Sequence, residues 1–151
     1  MTEAKSPARI TGSLLMDEEF LPQEIRAKAK ITPGGEHAWR KEDFAVVVLA
    51  ARRAGLASIG GQVQFIFPDG TCELYWVNYD SEEQKPDETW SAYVERSAEE
   101  VLKSFDLVCA STDFEKEAGR WPFIREKIEK EKINPLDYLW FVGYFNAEKA
   151  S

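Results

Sequence analysis

Residues 62–79 carry the clearest alternation in the chain. In QVQFIFPDGTCELYWVNY, Val63, Phe65 and Phe67 alternate with Gln62, Gln64 and Ile66, the period-two pattern of a strand with one strongly apolar face. Phe67-Pro68-Asp69-Gly70-Thr71 predicts a turn: proline presets φ, aspartate caps the backbone and glycine supplies a positive φ. The return strand runs from Cys72 to Tyr79. Plain alternation points Cys72, Leu74 and Trp76 one way, and Glu73, Tyr75, Val77 and Tyr79 the other. The stretch predicts a β-hairpin.

Two longer segments follow helical spacing. In Lys41–Gly55 the acids of the first turn, the arginines of the last and the glycine just beyond are helix end signals. The three consecutive valines Val46, Val47 and Val48 favour a strand instead. Phe44, Val47, Val48 and Ala51 fall on one helical face, and the segment is assigned as a largely buried helix. After the acidic loop 80–88, Trp90, Tyr93, Val94, Ser97, Val101, Leu102 and Phe105 recur at helical spacing, with Asp87 as the expected N-cap.

Shorter elements complete the reading. Pro22 to Ala29 predicts a short helix, ended by Pro33-Gly34-Gly35. Phe123 to Ile133 predicts another, with Glu126 and Lys130 as an i,i+4 pair. In NPLDYLWFVGYFN, Asn134-Pro135 reads as a helix start and Tyr138 to Phe145 as a strand buried on both faces. A single turn followed by a strand is expected there. The predicted fold is α+β and a single domain over 21–147. An antiparallel hairpin (about 62–79) and a C-terminal strand pack against helices at about 41–54 and 88–106. Residues 1–20 are expected to be a mobile N-terminal arm.

Composition narrows the possible functions. The chain has 151 residues, a size that suits one compact domain, and its 44% hydrophobic and 30% charged content fits a globular fold. A net charge of −8 disfavours nucleic-acid binding, which releases counterions through a basic surface, and docking on an anionic membrane. It attracts a basic protein instead. The N-terminus lacks the apolar core of a signal peptide, and no run approaches the roughly 20 apolar residues of a membrane span. Cys72 and Cys109 are far apart, without CxxC spacing, and read as reduced thiols in a cytoplasmic protein.

Catalytic motifs are missing from the chain. His37 is the single histidine, which rules out an HExxH site or a histidine-rich metal centre. There is no GxSxG and no GxxxxGK, and Gly60-Gly61 opens no helix to cradle a phosphate. Asp80, Glu82 and Glu83 lack the ordered spacing of a calcium loop. No cofactor and no metal is expected. Glu73, beside Leu74, Tyr75 and Trp76, is the best carboxylate for acid–base work, although alternation points it to solvent.

What remains is an excess of aromatics and acids. With 13% aromatic residues, Trp76, Trp90 and Trp140 are expected to fill the core where helix meets sheet. If the long helix covers the Leu74 face, the other face presents Tyr75 and Tyr79 beside Asp80, Glu82, Glu83, Asp87 and Glu88. Aromatic anchors within a charged rim are the anatomy of a protein interface. The leading expectation is a non-catalytic acidic domain that sequesters a basic protein. In size, acidity and lack of catalytic residues the chain is similar to bacterial immunity proteins that neutralise nuclease or related toxins. That likeness is one of class and rests on bulk properties, not on a motif. The alternative is a small-molecule-binding or enzymatic domain with an aromatic-lined pocket at His37, Trp39, Glu73 and Trp76. A third reading is a module that self-associates through an exposed hairpin edge.

Overall fold

The hairpin forms where alternation and turn chemistry put it. The computed structural model describes residues 17–149. They begin with a 3-10 turn (Glu18–Phe20), helix α1 (Gln23–Ala27), strands β1 (Lys30–Ile31) and β2 (His37–Trp39), and helix α2 (Lys41–Arg53). Strands β3 (Ala57–Gly60), β4 (Gln62–Phe67) and β5 (Gly70–Asn78) follow, then helices α3 (Trp90–Ser111), α4 (Phe114–Ala118) and α5 (Pro122–Glu131). A second 3-10 turn (Pro135–Tyr138) leads into β6 (Leu139–Val142) and β7 (Tyr144–Asn146). The fold is α+β. A five-stranded antiparallel sheet in the order β1-β2-β6-β4-β5 stands beside a two-stranded β3-β7 sheet.

The two sheets share their strands around a corner. β3 runs into β4 through Gly60-Gly61, and β6 runs into β7 through Gly143; Gly60 pairs with Tyr144, and Val63 with Phe141. The backbones approach too closely there for a side chain. A Cβ on Gly61 would lie 1.7 Å from the Val142 carbonyl oxygen, and Gly60 holds φ at 130°.

Helices α2 and α3 cover one face of the main sheet. Phe44 of α2 stacks on Phe105 of α3 at 4.5 Å, and both rings meet Phe141 of β6 and Tyr79. Val47, Val48, Ala98 and Val101 fill the same layer against Val63, Phe65 and Leu74. This packing decides the conflict at Val46–Val48 in favour of helix. Val47 and Val48 gain a buried face, while Val46 projects into solvent.

The structure revises several local expectations. The cap of α3 is Thr89, whose hydroxyl accepts the Ala92 amide at 3.1 Å; Asp87 lies in the preceding turn. Gly70 has no positive φ. It pairs with Phe67 as the first residue of β5, and its missing side chain makes room for the Phe123 ring. Trp76 is exposed, and Trp90 and Trp140 are only half-buried, so these three do not form the core. The fully buried tryptophan is Trp39, whose indole N–H donates to the Ile25 carbonyl at 2.9 Å.

Of the expected N-terminal arm, residues 1–16 lie outside the described residues, and 17–20 dock on the outer edge of β7. The Asp17 amide donates to the Phe145 carbonyl, the Glu18 carboxyl accepts the Phe145 amide, and the Asp17 carboxylate accepts the Ala147 amide, each at 2.8 Å. Among the described residues, no helix is long and apolar enough to cross a membrane.

Candidate functional site: an aromatic platform on a bulged edge strand

Register decides which side chains β5 presents. Leu74 pairs with Val63, but the next residue back along β4, Gln62, pairs with Asn78. Three residues, Tyr75, Trp76 and Val77, are therefore extra on β5 and have no partner on β4. An odd number of extra residues inverts the alternation beyond them. Cys72 and Leu74 face the core as expected, while past the bulge Val77 and Tyr79 turn inward and Asn78 outward.

The inversion moves Tyr79 from the expected recognition face into the core, where it is 0% exposed. Its hydroxyl donates to the Val142 carbonyl at 2.7 Å and reaches the Gln62 carbonyl at 3.1 Å, the two strands that bend at the glycine corner. Burial holds its pKa well above the ordinary phenol value. Tyr79 is a structural residue.

Trp76 moves the opposite way. Tyr75 and Trp76 are 44% and 47% exposed, packed edge-to-face with ring centres 5.1 Å apart. Trp121, at the N-terminus of α5, stacks on Trp76 at 6.3 Å with the planes 15° apart. Three rings thus form one platform on β5, which ends the five-stranded sheet and has no strand on its other side. Trp121 was not singled out from sequence. Its signal was the Trp-Pro pair opening a helix, which gives position but not contact.

The acidic loop is organised around one arginine. Arg96 of α3 binds Glu88 through two 2.7 Å hydrogen bonds and Glu100 at 2.9 Å, and also donates to the carbonyls of Glu82 and Glu83. Its guanidinium lies 5.3 Å from the Tyr93 ring. Hydrogen bonding from Arg96 holds the Glu88 carboxyl down at about 2. Glu88 is thus internally neutralised, and Asp80 accepts the Gly61 amide at 3.2 Å at the corner. Glu82, Glu83 and Asp87 keep their side chains exposed. Of the seven residues expected to form the partner surface, Tyr75, Glu82, Glu83 and Asp87 present side chains to solvent, and Asp80, also exposed, is tied to the corner through the Gly61 amide. Tyr79 and Glu88 hold the fold together.

The alternative pocket does not assemble. Trp39 is inside the core, and His37, two residues earlier on β2, stacks on it at 5.9 Å. Burial, with Arg26 nearby, pushes the His37 pKa below its ordinary value. Glu73 accepts a 2.9 Å hydrogen bond from Gln62, whose amide also reaches the Tyr144 hydroxyl. Tyr144 in turn donates to Glu36 at 2.7 Å, and Thr32 bonds the other Glu36 oxygen. This chain of polar groups bridges strands on the face away from α2 and α3. An open cavity of about 530 Å³, lined by Arg40, Lys41, Cys109, Asp113, Phe114 and others, contains none of the four pocket residues. A second, of about 500 Å³ between α1 and α2, contains none either.

Nucleophile and metal chemistry find little here. Burial raises both thiols, Cys72 to about 11, so each stays protonated at neutral pH. Among the described residues no three His, Cys, Asp or Glu side chains group to hold a metal ion. Against known proteins, no family model, no curated protein and no solved structure matches this chain.

Proposed function

We propose that this chain is a non-catalytic acidic domain that binds a basic protein and so sequesters or neutralises it, as bacterial immunity proteins do. The observation that carries this reading is the exposed Tyr75–Trp76 pair braced by Trp121. Rigid tyrosine and tryptophan rings are the residues that dominate binding energy at protein interfaces, and these are ordered before any partner arrives. The overall charge of −8, with Glu82, Glu83 and Asp87 free in the loop, steers a cationic partner toward the domain. Two protonated, unpaired thiols suit a reducing, cytoplasmic setting.

The test is a parallel capture from the native lysate with the wild type and with Tyr75→Ser/Trp76→Ser. Both positions are solvent-exposed, so the double variant keeps the fold, which a melt verifies. A stoichiometric basic protein retained by the wild type and lost by the variant supports the reading. Equal retention by both, or no partner at low salt, overturns it.

A further inference from the structure

We infer that the platform takes an arginine side chain of its partner, stacked on Trp76 and bonded to the bulge backbone. This rests on the protein-binding reading above and specifies what the site grips. Three features of the site converge on a guanidinium. Trp76 offers an exposed indole whose other contacts, Trp121 stacked on it and Tyr75 edge-on, leave it fixed in place. Tyr75 and Trp76 have no pairing partner on β4, and they sit on the last strand of the sheet, where an edge presents backbone carbonyls that can accept hydrogen bonds. The chain is strongly acidic, so the incoming group is a cation.

A planar guanidinium satisfies all three at once. It stacks flat on an indole and directs five N–H donors in its own plane toward carbonyls beside the ring. A lysine ammonium is a compact, strongly hydrated charge that neither stacks nor forks. The protein uses the same pairing internally. The Arg40 guanidinium sits 3.9 Å from the centre of the Trp140 ring while donating to the Leu139 carbonyl at 3.0 Å, on the next strand but one from β5. The Lys30 ammonium approaches that ring only to 5.7 Å. The bulge also twists the edge of β5 away from regular pairing, which disfavours a partner that simply adds a strand.

The experiment titrates the full chain with two short Gly/Ser-spaced peptides of equal positive charge, one carrying arginines and the other lysines, near physiological salt. Indole N–H signals in ¹H–¹⁵N spectra report the site of binding. The arginine peptide is expected to bind about two- to fivefold more tightly, shifting the Trp76 and Trp121 signals. Trp76→Leu is expected to erase the preference, with Tyr75→Leu as the second variant should the first fail to fold. Glu82→Lys with Glu83→Lys weakens both peptides alike.

Equal affinities in the wild type, binding of neither peptide, or a preference that survives both leucine variants overturns the assignment. So do concentration-dependent Trp76 shifts without peptide, which identify a second copy of this chain as the occupant. A partner captured by the wild type and lost by Tyr75→Ser/Trp76→Ser, yet without an arginine preference, leaves the binding reading standing and removes this inference alone.

Discussion

Replacing Tyr79 with phenylalanine removes one oxygen and leaves the ring contacts in place. The ring meets Phe44 at 5.1 Å and Phe105 at 5.5 Å, and these contacts do not involve the hydroxyl. What is lost is the donor that serves the Val142 and Gln62 carbonyls at 2.7 and 3.1 Å. Tyr79 and Val142 are 0% exposed and Gln62 is buried, so solvent does not reach the two carbonyls to replace it. A net hydrogen bond is worth about 1 kcal/mol, and a buried acceptor left unsatisfied costs about 1–3 kcal/mol. Tyr79→Phe should therefore destabilise the domain by about 2–3 kcal/mol. With a urea slope of about 2 kcal/mol per molar, the midpoint of a chemical melt falls by about 1–1.5 M. Tyr75→Phe, at an exposed position, should stay within about 0.5 kcal/mol of the wild type. A loss below about 0.5 kcal/mol for Tyr79→Phe would return Tyr79 to the surface and refute the inverted register.

The same melts rank the tryptophans. Trp39→Ala should cost about 3–5 kcal/mol, as a fully buried ring with a bonded indole N–H, whereas half-buried Trp90→Ala should cost about 1–2 kcal/mol; the reverse order would mean that the core is misassigned. Burial raises the Glu18 carboxyl from an ordinary 4.5 to about 8. Between those values the folded chain keeps a proton that the unfolded chain has released, so stability falls as pH rises through that window and levels off above it. Glu18→Gln should accordingly gain on the wild type at pH 9 and not at pH 4; thermal melts at both pH values with the gain at pH 4 instead would contradict this burial. Glu82→Lys with Glu83→Lys should leave the melt unchanged and weaken capture of a basic partner most at low salt. Unchanged affinity at low and moderate salt would remove the loop acids from recognition.

The legible parts of the fold were those governed by local rules. The hairpin followed from alternation around Pro68-Asp69, and the two long helices from their periodicity. The 3-10 turn at Pro135 followed from Asn134, whose side chain caps Leu136 at 3.1 Å. The short strands β1, β2 and β3 were not legible, because two to four residues carry too little pattern and take their conformation from the strands beside them. In the candidate site, alternation gives the outward direction of Tyr75 but points Trp76 inward, whereas the structure exposes both. The warning was present in Leu74-Tyr75-Trp76-Val77, four apolar residues in a row that no regular alternation accommodates. Arg96 is not legible in the sequence, because a lone arginine on a polar helix face looks like any solvated charge until a loop closes over it.

By itself, the amino-acid order determined the class of the fold, the hairpin, the helical faces that must be buried, and an acidic composition rich in aromatics. Each depends on properties of neighbouring residues: period, turn geometry, end signals and charge. The tertiary structure alone decided which aromatics are core and which are surface. That choice depends on how many residues β5 spends between two pairings with β4, and on the glycine corner that draws Tyr79 inward to serve two carbonyls. Register is a relation between strands, and a shift by an odd number of residues exchanges the two faces without altering a single local preference.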